Sequence, residues 1–133
     1  MTGVQTCALP IYGWHQLSRT APLLAGPPRA LNPDWTRLHT RFHDDLIAAC
    51  DSVWWLRLRG QLFLQAERYR HMSLPYARIE RNVDEEHRAI LEATLARDAD
   101  RACEALACHL QRTADILLSR LARQARPISM KRV

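Results

Sequence analysis

Apolar residues recur at helical spacing in four stretches of the chain. Trp35, Leu38, Phe42, Leu46 and Ala49 fall at three- and four-residue intervals, one stripe of a helix. Asn32-Pro33-Asp34 marks its start. Asn32 can cap, Pro33 fits the first helical position, and Asp34 sits at the positive end of the dipole. Asp51-Ser52 interrupts the pattern and can cap a second helix, from about Val53 to His71. Its inward face is read as Leu58, Leu62, Gln65, Ala66 and Tyr69, and Ser73-Leu74-Pro75 ends it. After a connection over residues 76–82, a third helix begins near Asp84 with three acids in its first turn. It carries His87, Ile90, Leu91, Thr94 and Leu95. Asp98, in the turn at residues 97–100, can cap a fourth helix with Ala102, Leu106, His109, Thr113, Ile116 and Leu117 inward. No strand pattern and no repeat interrupts this order. Four main helices with short links predict an all-α antiparallel bundle.

The first residues stand apart. Residues 1–11, MTGVQTCALPI, have no basic n-region and are not a signal peptide. They resemble the in-frame translation of a widely used sequencing adapter, with its last base opening the codon of Tyr12. Residues 1–12 are therefore expected to be adapter-derived, and the native gene to be cut at its 5′ end. Residues 13–31 hold Pro22, Gly26, Pro27 and Pro28, and read as a loop after the tail of a broken helix at 14–19. The helical domain spans 32–123, and 124–133 is a basic tail.

Composition narrows the function classes. The 133 residues suit one domain, and 47% hydrophobic content is enough to bury a core. The net charge of +5 equals the sum of Arg120, Arg123, Arg126, Lys131 and Arg132, so the rest of the chain is balanced. That pattern reads as a solvated terminus rather than a nucleic-acid stripe. No apolar run approaches the roughly 20 residues needed to span a bilayer. Cys50, Cys103 and Cys108 form no CxxC and no export signal precedes them, which predicts a reduced, cytoplasmic protein. Cys50 and Cys103 are read as small core fillers, and Trp54-Trp55, with Trp35, as core or dimer-interface packing.

The chemistry lies in the histidines. His39 and His43 are four apart and share one helix face, the spacing of a two-point metal clamp. His87 and His109 each lie eleven residues from Asp98. A hairpin folded there sets them level and facing each other. Three helices can then converge four imidazoles, good metal ligands, in the bundle core. His15 and His71 fit no cluster and are read as surface residues. Asp44 and Glu86 adjoin the histidines but are expected to point away from the stripe.

The segment LHTRFHDDLIAACDS at 38–52 resembles the FH-x-x-L-x-x-A signature of the FCD (FadR C-terminal) domain. That is the effector-binding domain of GntR-family bacterial transcription regulators. EEHRAILEA at 85–93, RDADRA at 97–102 and His109-Leu110 resemble the same family's closing motifs. The resemblance implies an all-α bundle that binds a divalent metal and a small carboxylate metabolite. It implies a homodimer that meets DNA only through a winged helix-turn-helix domain absent from this chain. His43, His87 and His109 match the family's three histidines, while His39 stands where the family has an acid. Four nitrogen ligands would favour Zn²⁺ or Ni²⁺, or Cu²⁺, over Mg²⁺. Gln65, Arg68 and Tyr69 are the candidate effector contacts, because an Arg fork pairs bidentately with carboxylate. The rival reading is a small His-rich helical-bundle metalloprotein, a hydrolase or a metal carrier.

Overall fold

A computed structural model describes residues 3–26, 30–73 and 81–124. The described residues form five helices and no strand: α1 (Gly3–Leu17), α2 (Pro33–Leu46), α3 (Val53–Ser73), α4 (Val83–Leu95) and α5 (Ala99–Gln124). The expected basic tail and most of the connection before α4 fall outside the described residues.

The helix starts follow local chemistry. The Asn32 side chain accepts a hydrogen bond from the Asp34 N–H at 3.0 Å, with Pro33 opening α2. Ser52 Oγ accepts from the Trp55 N–H at 3.4 Å, Asn82 Oδ1 from Glu85 at 3.2 Å, and Asp98 Oδ1 from Arg101 at 3.0 Å. Each satisfies a donor that the first helical turn leaves orphaned. Asn32→Ala also loses the bond from Nδ2 to the Ala21 carbonyl. It should cost about 1 kcal/mol in urea unfolding, as cap removals do.

α4 ends in a Schellman turn. Arg97 adopts a positive φ of 56°, the Asp98 N–H reaches the Ala93 carbonyl, and the Arg97 N–H reaches that of Thr94. The chain reverses there and α5 packs back along α4.

The core is Leu17, Trp35, Leu38, Phe42 and Leu91, with Trp14, Leu31, Leu46, Val83 and Leu95 packed around it. α1 lies on α2, touches α4, and supplies the fully buried Leu17. The expected helix remnant at 14–19 is the end of this helix, which begins earlier, at Gly3, within the residues set aside from the sequence reading. Pro10, Gly13 and Leu17 form a buried stripe at helical spacing, although Pro10 stands inside the helix. Gly13 permits the close approach to α2. A Cβ there would sit 2.9 Å from Asp45 Oδ2 and 3.6 Å from the Phe42 Cα.

Three further expectations are corrected. α2 stops at Leu46, so Ala49 is exposed beyond its end. Cys50 and Cys103 are exposed and fill no core. The face of α3 is turned. Leu58, Leu62, Gln65 and Tyr69 lie outside, and of the expected inward stripe only Ala66 is half-buried. The inward residues are Arg59, Gly60, Phe63, Ala66, Glu67 and Arg70, an equally regular helical stripe that is largely polar. Trp35 is core, but Trp54 and Trp55 are 79% and 67% exposed. No helix among the described residues is long and apolar enough to cross a membrane.

Candidate metal centre

The inner stripe of α2 carries Trp35, Leu38, His39, Phe42 and His43, all buried. The i, i+4 spacing stacks the two histidines one turn apart, with Nε2 atoms 3.2 Å from each other. α4 presents His87 to them from across the bundle, and α5 presents His109. The turn at Arg97 sets this pair level, as the eleven-residue spacings predict, with ring centroids 4.7 Å apart. One nitrogen from each of His39, His43, His87 and His109 lies within 4.8 Å of all the others. The four side chains are 0–7% exposed. His15 and His71 are exposed and take no part.

Aromatic rings wall the cluster. Trp35 stacks on His39 at 4.7 Å, and Phe42 meets His43 and His87 edge-on at 5.3 and 5.2 Å. Phe63 of α3 closes a further side, 5.9 Å from His43. Such walls exclude water and so penalise charge. Burial, reinforced by mutual repulsion among the would-be imidazoliums, holds His39 and His43 well below the usual histidine pKa. Burial, with repulsion from His109, brings His87 to about 3. These three rings are neutral at pH 7 and keep lone pairs, the state a metal requires.

Polar satisfaction is incomplete in a telling way. Both ring nitrogens of His87 and Nδ1 of His39 are buried without a hydrogen-bond partner. Buried polar groups are rarely left so, and their absence of partners has to be explained. A divalent cation among the four rings would take one nitrogen of each, and so give one of the two orphaned nitrogens of His87 a partner; nitrogen donors of this kind suit it. The four histidines therefore fit a metal site.

Two carboxylates flank the cluster, and one overturns an expectation. Glu86 does not point away into solvent. It is 8% exposed, with Oε2 2.8 Å from His109 Nδ1. Arg81 grips it through Nε and Nη2, and Arg112 Nη1 donates to its other oxygen at 2.8 Å. Burial disfavours its ionisation, but the bonds from His109, Arg81 and Arg112 outweigh burial and hold the carboxyl below the usual range. With its oxygens taken up by three donors, Glu86 is no free base. On the other flank Glu67 Oε1 lies 3.6 Å from His39 Nδ1, and Glu67 pairs with Arg70. Asp44 is exposed and pairs with Arg59, as expected of a residue pointing away.

The candidate effector contacts are not gathered at this cluster. Gln65, Arg68 and Tyr69 all lie on the exposed face of α3. The same helix turns Phe63, Glu67 and Arg70 inward instead. Arg70 lies over the Trp35 ring at 4.8 Å, and its positive charge bears on His39, His43 and His87. The signal for these residues was present in the 3.6-residue period of 59, 63, 67 and 70, but three of the four side chains are charged.

The sequence profile of the FCD domain matches residues 15–112. The uncharacterized HTH-type transcriptional regulator BphR of Paraburkholderia xenovorans (strain LB400) is 36% identical over 107 residues, 80% of this chain and 44% of BphR. The HTH-type transcriptional repressor GlaR of Escherichia coli (strain K12) is 36% identical over 81 residues, 58% of this chain and 37% of GlaR. The chain spans less than half the length of these curated relatives. No solved structure matches it significantly. The FCD match runs from the end of α1 into α5 and takes in every histidine of the cluster: this chain belongs to the FCD domain family of GntR-type transcription regulators.

Proposed function

We propose that the chain is the ligand-sensing part of a transcription regulator, a binding module rather than an enzyme. In this reading His39, His43, His87 and His109 hold a divalent metal, Zn²⁺ or Ni²⁺. The observation that carries it is the convergence of four buried histidines, two of which, His39 and His87, have ring nitrogens without a partner. A cation held only by neutral ligands keeps its full charge, and that charge favours an anion as the remaining ligand. The effector is accordingly a small carboxylic acid. Arg70, rather than Arg68, is the guanidinium we assign to its carboxylate, because α3 turns Arg70 toward the cluster. Gln65, Arg68 and Tyr69 would act only from the outer face of α3. DNA contact belongs to a winged helix-turn-helix domain outside this chain.

Elemental analysis of the purified chain should find about one zinc or nickel per chain. Calorimetry with acetate, malonate and citrate should show binding to the metal-loaded protein and none after chelation. A chain that carries no metal and takes up none on adding Zn²⁺ would refute the reading.

The reading includes a homodimer. Trp54, Trp55, Leu62 and Leu64 on α3, with Leu118 and Leu121 on α5, are 60–79% exposed. Apolar exposure on this scale marks an association surface. Sedimentation of the full chain should show a species heavier than the 15.4 kDa monomer. The triple change Trp54→Lys, Leu58→Lys and Leu62→Lys should restore the monomer. A monomeric wild type would exclude the dimer.

A further inference from the structure

Glu86 sits one position before His87, so α4 aims the two side chains in different directions. His87 enters the histidine cluster, while Glu86 leans toward α5 and meets the far side of the His109 ring. We propose that Glu86 is a positioning residue: it fixes the proton of His109 on Nδ1 and so leaves Nε2 as the nitrogen that faces the metal. The proposal rests on the metal-binding reading above, but its first test needs no metal.

The geometry decides the tautomer. A neutral imidazole can carry its proton on either nitrogen, and the hydrogen bonds around it select which. Two groups approach His109 Nδ1. Glu86 Oε2 is 2.8 Å away and Arg81 Nη2 is 3.4 Å away. An ionised carboxylate only accepts and a guanidinium only donates, so they demand opposite tautomers. The carboxylate prevails on distance and on commitment. Arg81 Nη2 already donates to Glu86 Oε2 at 2.7 Å and to the His109 carbonyl at 2.8 Å. Nδ1–H donating to Glu86 is the arrangement left.

The surroundings hold Glu86 to this task. Arg81 grips the carboxylate through Nε and Nη2, and its Nη1 donates to Thr113 Oγ1 at 2.8 Å, one turn along α5 from His109. The same guanidinium therefore anchors the carboxylate and the helix that carries the ring. Arg112 closes on Oε1 from the solvent side. Ring orientation, tautomer and backbone position at His109 are thus set together. A carboxylate behind a ligating histidine also makes the ring a better donor to a metal.

Long-range proton–nitrogen spectra of the metal-free full chain, with ¹⁵N-labelled histidine, read the tautomer directly. Wild-type His109 should show a protonated Nδ1 and an unprotonated Nε2. Glu86→Gln keeps the size but can turn an amide N–H toward Nδ1. It should shift His109 toward the Nε2–H form and weaken Zn²⁺ binding roughly 10–100-fold, measured by chelator competition. Glu86→Asp keeps an acceptor-only group and should retain the Nδ1–H form. An Nε2–H tautomer in the wild type would overturn the proposal, whether or not any variant folds. So would a folded Glu86→Gln protein with unchanged tautomer and unchanged zinc affinity. A wild-type chain with the Nδ1–H form that takes up no zinc would leave the positioning intact and sink the metal reading instead.

Discussion

Zinc at a hundredfold excess over its dissociation constant should stabilise the chain by about 2.7 kcal/mol, the linkage expected when a ligand binds only the folded state. For a domain of this size that is an upward shift of roughly 10 °C in melting temperature. The gain should vanish in the His87→Ala/His109→Ala protein, which loses the α4 and α5 arms of the cluster. His15→Ala, at an exposed position on α1, should keep all of it. The single changes at α2 separate the two histidines that occupy one helix face. The resemblance to the family signature pairs His43 with a family histidine and puts His39 where the family has an acid. If His39→Ala keeps the full gain and His43→Ala loses it, the site is built on three histidines. An equal gain in wild type and double variant would mean that zinc binds elsewhere.

Acid should unfold the metal-free protein well before its carboxylates are neutralised. His39, His43 and His87 all have folded-state pKa values below their unfolded value of about 6.5. As pH falls through 6.5 the unfolded chain takes up protons that the folded chain refuses. The unfolded state then binds more protons, and stability falls with falling pH. Between pH 7 and pH 5 His87, whose ring stays neutral in the folded state down to about pH 3, contributes a loss of about 2 kcal/mol, and His39 and His43 act in the same direction. Against the roughly 5–15 kcal/mol of a typical domain that loss is readily measured. The decline from His87 should level off near pH 3, where its ring is protonated in the folded state too. Urea unfolding midpoints at the two pH values give the measurement. A loss below about 1 kcal/mol would mean that the rings are hydrated or already paired with protons in the native state.

The parts of the fold that were legible in the sequence are those set by neighbours along the chain. Asn32-Pro33, Ser52 and Asp98 cap helices through bonds that span two or three residues, so their meaning survives without tertiary context. His39 and His43 share a face by helix geometry alone, and the matched spacing of His87 and His109 needs only one turn. What failed to show was decided by packing. On α3 the rule that apolar means inward gave the opposite face, because the buried side is the one that meets the histidines. There Arg59, Glu67 and Arg70 are wanted, and Leu58 and Leu62 are left outside. Glu86 looked like a solvated first-turn acid because nothing on its own helix reveals that Arg81 and α5 would enclose it. Residues 1–12 were set aside, so the start of α1 was not read as a helix, and nothing local tells that Gly13 is where α2 comes too near for a side chain.

The turn at Arg97 acts as a gauge of angle. α4 and α5 each hand one ring to the cluster, and the only covalent link fixing their relative rotation is the short reversal between Leu95 and Ala99. Each residue of an α-helix advances the direction of its side chain by about 100°. Inserting a single residue in this exposed turn, with the packing of α5 otherwise kept, would therefore swing His109 away from His87 and bring Cys108 toward its place. Exposed turns elsewhere in a bundle absorb insertions readily. This one counts residues, and a change in its length would be felt as the loss of a ligand rather than as the loosening of a loop.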